Sequence, residues 1–251
     1  FFADGKLKKI SVTGGAAVTV CDAPNDRGGA WGDDGNIVLA PEATVPLFRV
    51  PSSGGTPQPL TKFEKLEQDA VEVTHRWPHV LPGSRAVLFT SHTIVGNYEN
   101  ASIVVQSLDT VERKVLHRGG FYGRYVRSGH IAYVRENTLF AVPFDLKTLE
   151  LAGEPVPAIE GVGTASNNAT SQFAFSDSGT VVYLPGTDLG GGFAVYWMDR
   201  QSRTTPLRAA TANLWNPRFS PDGRRLAVDL LDKQRDVWVY DWARDTLSRL
   251  T

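Results

Sequence analysis

The chain has 251 residues, with 26 lysines and arginines against 27 aspartates and glutamates, and one cysteine, Cys21. Balanced charge gives no electrostatic basis for binding nucleic acid or an anionic membrane surface. No apolar run approaches the roughly 18 residues needed to span a bilayer, and a single cysteine excludes any intrachain disulfide.

From the N-terminus, Phe1 and Phe2 read as the tail of a strand, and residues 7–12 and 17–21 as two more strands around Thr13-Gly14-Gly15. Cys21 then fits a small buried hydrophobe. Five tight turns follow: Trp31-Gly-Asp-Asp-Gly35, Leu81-Pro-Gly83, Val126-Arg-Ser-Gly129, Phe175-Ser-Asp-Ser-Gly179 and Phe219-Ser-Pro-Asp-Gly223. Their closing glycines lie 48, 46, 50 and 44 residues apart. Each turn sits between two apolar, strand-like runs. A period in the forties with about four short strands per unit predicts an all-β fold, a β-propeller of four-stranded antiparallel blades.

The units expected are a half blade at 1–22 and complete blades at 23–66, 67–118, 119–160, 161–208 and 209–251, all in one domain. The outer strand near 154–158 carries Pro155 and Pro157, which suits an edge and not a centre. The half blade would leave an open strand edge and an uncovered apolar face, a costly arrangement. The expectation is a piece of a longer protein, six-bladed when complete, with the half blade paired to sequence after Thr251. Alone, such a piece should self-associate or be unstable.

The segments Phe2-Ala-Asp-Gly-Lys-Leu, Val20-Cys-Asp-Ala-Pro24, Gly28-Gly-Ala-Trp31, His75-Arg-Trp-Pro78, Gly153-Glu-Pro-Val156 and Phe219-Ser-Pro-Asp-Gly223 with Asp236-Val-Trp238 carry a resemblance. Together they resemble the TolB-like propellers found C-terminal to bacterial serine/threonine protein kinases. The resemblance covers essentially the whole chain. It implies a sensor or interaction domain, following a kinase domain and a membrane-spanning segment and therefore lying outside the cytoplasmic membrane.

Catalytic motifs are missing from the sequence. There is no kinase phosphate loop, His-Arg-Asp loop or Asp-Phe-Gly anchor, and no Gly-x-Ser-x-Gly elbow. Gly119 to Gly123 reads as a connection between blades. His75 and His79 have an even spacing, which puts both on one face of a strand. At about 3.3 Å per residue they lie too far apart to share an ion. Asp33 and Asp34 read as a solvated turn. The expectation is no catalytic residue, no metal and no cofactor. Trp31, Trp77, Trp197, Trp238 and Trp242 are expected to fill the wedges between blades.

A propeller presents ligands to the loops that lead into its innermost strands, because a rigid scaffold aims them. Those loops are 24–29, 68–76, 118–124, 164–172 and 211–218. They offer Asn25, Arg27, His75, Arg76, Tyr122, Arg124, Asn167, Trp215, Asn216 and Arg218, with Asp26, Asp69 and Glu72 as the acids. Arginine forks suit carboxylates or phosphates, and Trp and Arg anchor interfaces. The expected partner is a protein or peptide, or an acidic or polar small ligand. The alternative is a propeller enzyme of the lactonase, lyase or hydrolase type with a metal in the central channel. That alternative needs Glu, Asp, Asn or His from several innermost strands around one ion.

Overall fold

The computed structural model describes residues 1–66, 70–186, 196–199, 203–207, 214–231 and 235–251. Among these residues there is no α-helix. Six antiparallel sheets follow one another in a propeller arrangement. Blade 1 has three strands, Phe2–Ala3, Lys6–Lys9 and Val18–Asp22. Blade 2 holds Gly29–Trp31, Asn36–Leu39, Phe48–Pro51 and Gln58–Pro59; blade 3 holds Thr74–Val80, Ala86–His92, Ser102–Ser107 and Arg113–Arg118. Blade 4 runs from Phe121–Val126 through His130–Arg135 and Thr138–Asp145 to Val156–Ile159. Blade 5 begins at Phe173–Phe175 and ends at Thr204–Pro206, and blade 6 runs from Leu214–Phe219 to Thr246–Arg249. A short hairpin, Thr164–Ala165 with Thr170–Ser171, stands in the loop leading into blade 5.

The five turns are where the period places them. Gly35, Gly83, Gly129, Gly179 and Gly223 all have φ between 64° and 86°, the left-handed region that glycine enters without a Cβ clash. In blade 3 the turn tightens into a 3₁₀ turn over Pro82–Ser84. In blade 1 the strand expected over 7–12 is Lys6–Lys9; Phe2 pairs with Leu7 and Ala3 with Lys6, so the short N-terminal strand covers part of its edge. Cys21 is buried and free, as expected.

The core lies between blades. Leu7, Val20 and Cys21 of blade 1 pack against Ile37, Leu39 and Val50 of blade 2. Val38 and Leu47 meet Val87, Phe89 and Val104, and Leu88, Ile103 and Val105 meet Ile131, Tyr133 and Val142. Blades 5 and 6 close on Val182, Leu184, Leu226 and Val228. The middle strands of blades 2, 3 and 4 are thus covered on both faces, which is why they read as nearly continuous apolar runs. Trp197 and Trp242 fill such a wedge, with ring centroids 4.9 Å apart. Trp31 does not: it is 57% exposed at the end of its strand.

Three innermost strands share one irregularity. In blade 3, Arg76 pairs with Thr90 but His79 with Leu88. In blade 4, Phe121 pairs with Val134 but Arg124 with Ala132. In blade 6, Trp215 pairs with Asp229 but Arg218 with Ala227. Each strand carries one extra residue, a β-bulge, and the first residue of each bulge has a left-handed backbone: Trp77 at φ 53°, Tyr122 at 61° and Asn216 at 50°. The residue after it is Pro78, Gly123 or Pro217. An extra residue reverses the alternation of the strand beyond it. The expectation that His75 and His79 share one face is therefore overturned, since the bulge lies between them.

Gly28 in blade 2 packs against this feature. Its φ is 93°, and a Cβ there would fall 2.5 Å from Trp77 Cε3. Gly28→Ala should therefore destabilise the chain by about 1–3 kcal/mol through backbone strain alone, with further loss as Trp77 shifts. Urea unfolding of both proteins measures this, and equal midpoints would contradict it.

Candidate functional site

Beyond the bulges, the innermost strands carry His79, Arg124 and Arg218 to one place. The Arg124 guanidinium lies 3.8 Å from the centroid of the Tyr122 ring and that of Arg218 lies 5.8 Å from it. Arg218 also donates to Tyr122 Oη at 2.5 Å, across 96 residues of chain. Arg124 donates to the carbonyls of Trp77 at 3.0 Å and Gly123 at 2.8 Å. Three blades thus meet around one phenol. Burial alone would raise the Tyr122 phenol, but the Arg218 and Arg124 charges outweigh it and bring it down to about 8. Burial, and then the same two guanidiniums, push His79 down to about 3, so its imidazole is neutral at pH 7.

Arg76 and Trp77 form a second group. Arg76 is 1% exposed. It donates to Thr74 Oγ1, to the Ala43 carbonyl at 3.0 Å and to the Asn168 carbonyl at 3.1 Å, and lies 4.2 Å from the Tyr98 ring centroid. Trp77 Nε1 donates to the same Asn168 carbonyl at 2.9 Å. Burial brings the Arg76 guanidinium down to about 10. This arginine clamps blade 3 to the blade 2 connection and to the 164–171 hairpin; its placement is that of a strut, not of a group offered to a partner.

His75 is placed differently again. It is fully buried, away from the channel mouth where its loop position puts it. Its Nε2 donates to Glu72 Oε2 at 3.0 Å and its Nδ1 accepts from Thr61 Oγ1 at 2.8 Å. Glu72 also takes hydrogen bonds from Ser91, from the Glu64 amide at 2.9 Å and from both terminal nitrogens of Arg113. Burial would raise the Glu72 carboxyl, but His75, Arg113, Ser91 and the Glu64 amide together hold it far below the usual carboxylate range. Thr61, His75 and Glu72 imitate a hydroxyl–imidazole–carboxylate relay. The hydroxyl is buried, however, and accepts the Leu47 amide at 2.8 Å. The relay joins blade 2 to blade 3, and all three of its members are buried.

The remaining expected residues scatter. Asn25 and Asn167 are exposed. Arg27 turns back onto Asn25 Oδ1 at 2.8 Å and the Asp26 carbonyl at 2.6 Å. The Asn216 amide donates to Gln172 Oε1 at 2.7 Å and its side chain to Asp229 at 2.8 Å, which locks the blade 6 bulge. Asp69 and the Trp215 side chain lie outside the described residues. No group of three or more His, Cys, Asp or Glu that could hold a metal occurs among the described residues.

Near the turns the blades leave a cavity of about 210 Å³. Its wall includes His79, Trp31, Asp33, Tyr125 and the Arg127–Asp177 pair, which is bonded at 2.7 Å but exposed and so worth little on its own. The sequence reading assigned no role to His79 here. Its signal was position: Arg124 and Arg218 each stand five residues before their turn glycine, and His79 stands five before Ser84, which holds the equivalent turn position with a positive φ.

The buried groups set an acid limit on stability. Glu72 has a depressed folded pKa, so its contribution is present above the unfolded carboxylate range and is lost as pH falls through it. His75 and His79 are also depressed; the unfolded chain takes up their protons first, below about 6.5, and stability falls with pH there too. Stability should therefore decline from pH 7 to pH 4, by up to about 1.4 kcal/mol per pH unit for each proton taken up. His79→Asn should flatten the decline between pH 6 and 4. Urea midpoints across this range check it, and parallel profiles for the two proteins would contradict it.

No protein-family profile matches the sequence, and no curated relative matches it. Among solved structures the chain is similar to TolB from Acinetobacter baumannii, with a TM-score of 0.72 and 17% identity over 98% of this chain and 59% of that one. It is similar to a TolB assigned in Agrobacterium tumefaciens, with a TM-score of 0.67 and 13% identity over 94% of this chain and 84% of that one. It is also similar to an oligogalacturonate lyase in complex with manganese, with a TM-score of 0.56 and 14% identity over 93% and 67% of the two chains. The chain thus spans about three-fifths of the length of the Acinetobacter protein. Its fold is that of the TolB-like six-bladed β-propellers, a fold that carries both TolB proteins and enzymes.

Proposed function

We propose that this chain is a non-catalytic protein- or peptide-binding propeller, the sensor or interaction domain of a larger bacterial membrane serine/threonine kinase, working outside the cytoplasmic membrane. The observation that carries the binding reading is the convergence of Tyr122, Arg124 and Arg218 from blades 4 and 6 with no carboxylate partner among the described residues. Unpaired arginines on a rigid scaffold make interface anchors. The kinase association and the location rest on the sequence resemblance. No helix among the described residues is long and apolar enough to cross a membrane. The enzyme alternative gains nothing from the Thr61–His75–Glu72 relay, whose members are buried.

The test is capture from an extract of the parent organism on the immobilised chain. The variant Arg27→Ala/Asn167→Ala/Arg218→Ala changes exposed or half-buried groups only, and Glu112→Ala on the outer edge is the control. Wild type and control should retain a common partner, and the triple variant should lose it at least tenfold, the expected scale for interface arginines at about 1.4 kcal/mol per tenfold. Equal capture by all three places the partner site elsewhere. Hydrolysis or elimination activity that follows a stoichiometric divalent ion would overturn the non-catalytic reading.

A further inference from the structure

Several arginines away from the channel are neutralised, whereas the buried Arg76 has only neutral hydrogen-bond partners. Arg49, Arg85, Arg113, Arg127, Arg135, Arg203 and Arg249 each lie within ion-pairing distance of an aspartate or glutamate. Arg124 and Arg218 have only neutral partners among the described residues: three main-chain carbonyls and the Tyr122 hydroxyl. The nearby acid of blade 6, Asp229, is engaged by the Asn216 amide. Two like charges beside one phenol repel each other, and the repulsion grows where water is partly excluded. Equivalent bulges, each with a left-handed residue, hold both guanidiniums at the same level of the channel. Backbone strain of this kind persists where the surroundings enforce it, and it gathers at binding sites.

We propose that the channel binds a single oxyanion group, a carboxylate or a phosphate, between Arg124 and Arg218, beside His79 and the Tyr122 hydroxyl. This rests on the reading that the channel is where a partner binds. An oxyanion accepts several N–H bonds at once, and charge-assisted bonds of this kind are about twice as strong as neutral ones. It would relieve the repulsion between the two guanidiniums. The neutral imidazole of His79 supplies one further donor. Arg218 is exposed, so the site is open to solvent on that side. A free inorganic anion and the acidic side chain of a bound segment offer the same chemistry.

The experiment titrates the whole chain at fixed ionic strength with sodium phosphate, with sodium acetate and with a glutamate-rich peptide blocked at both ends. The His79 ring resonances report occupancy. A saturable shift with any of these probes is expected, with affinity reduced tenfold or more in Arg124→Gln and in Arg218→Gln. Arg218→Gln is the decisive variant if loss of the Arg124–Trp77 bond impairs folding. The absence of a saturable shift with all three probes, or equal affinity in wild type and Arg218→Gln, overturns the proposal. Saturation by phosphate or acetate without binding of the peptide upholds the oxyanion site while counting against a peptide partner. Peptide binding that is equal in wild type and both variants overturns the oxyanion site and leaves the binding role standing.

Discussion

A β-strand alternates its side chains between two faces, and one extra residue reverses that order. The site depends on this constraint. In blade 3 the strand begins with His75 and Arg76 buried among neighbouring elements; past the Trp77–Pro78 bulge it delivers His79 to the neighbourhood of the channel arginines. In blades 4 and 6 the same device delivers Arg124 and Arg218. Without the bulges these side chains would point to the other face of each strand, into the apolar wedge between blades. The proline or glycine second in each bulge suits the irregularity, since proline offers no ladder N–H and Gly123 has a Cβ position within 3.0 Å of Ile103 and Leu88.

Identical residue types therefore do different work on either side of the bulge. Arg76 is buried among carbonyls and the Tyr98 ring and serves as a strut. Arg113 neutralises the buried Glu72. Removing one member of such a pair leaves a charge in low dielectric, which costs about 3–5 kcal/mol, so these residues are bound to the fold. Arg124 and Arg218 have carbonyls and the Tyr122 hydroxyl, but no carboxylate, among their hydrogen-bond partners. The surroundings, not the side chain, separate strut from recognition group.

The same separation explains why the fold alone does not name an activity. Functions are grafted onto propellers through the residues that line the channel. The proposed site of this chain groups two guanidiniums with a neutral imidazole around the buried Tyr122 phenol, chemistry suited to negative charge. A divalent ion calls for clustered carboxylates and histidines.

The amino-acid sequence alone determined the architecture. Turn glycines at a period of 44 to 50 residues, each needing a left-handed φ, are local requirements, and local requirements are written in adjacent residues. The apolar middle strands and the buried Cys21 were legible for the same reason. Part of the candidate site was legible too: Tyr122, Arg124 and Arg218 were picked out by their place in the loops that lead into the innermost strands. What the tertiary structure decided was direction and company. The bulge at Trp77–Pro78 sent His75 and His79 different ways, and Glu72, Ser91, Thr61 and Arg113 closed around His75 from separate strands. Arg218 meets Tyr122 across 96 residues. No local pattern encodes such a meeting, because it depends on the angle at which whole blades pack around the ring.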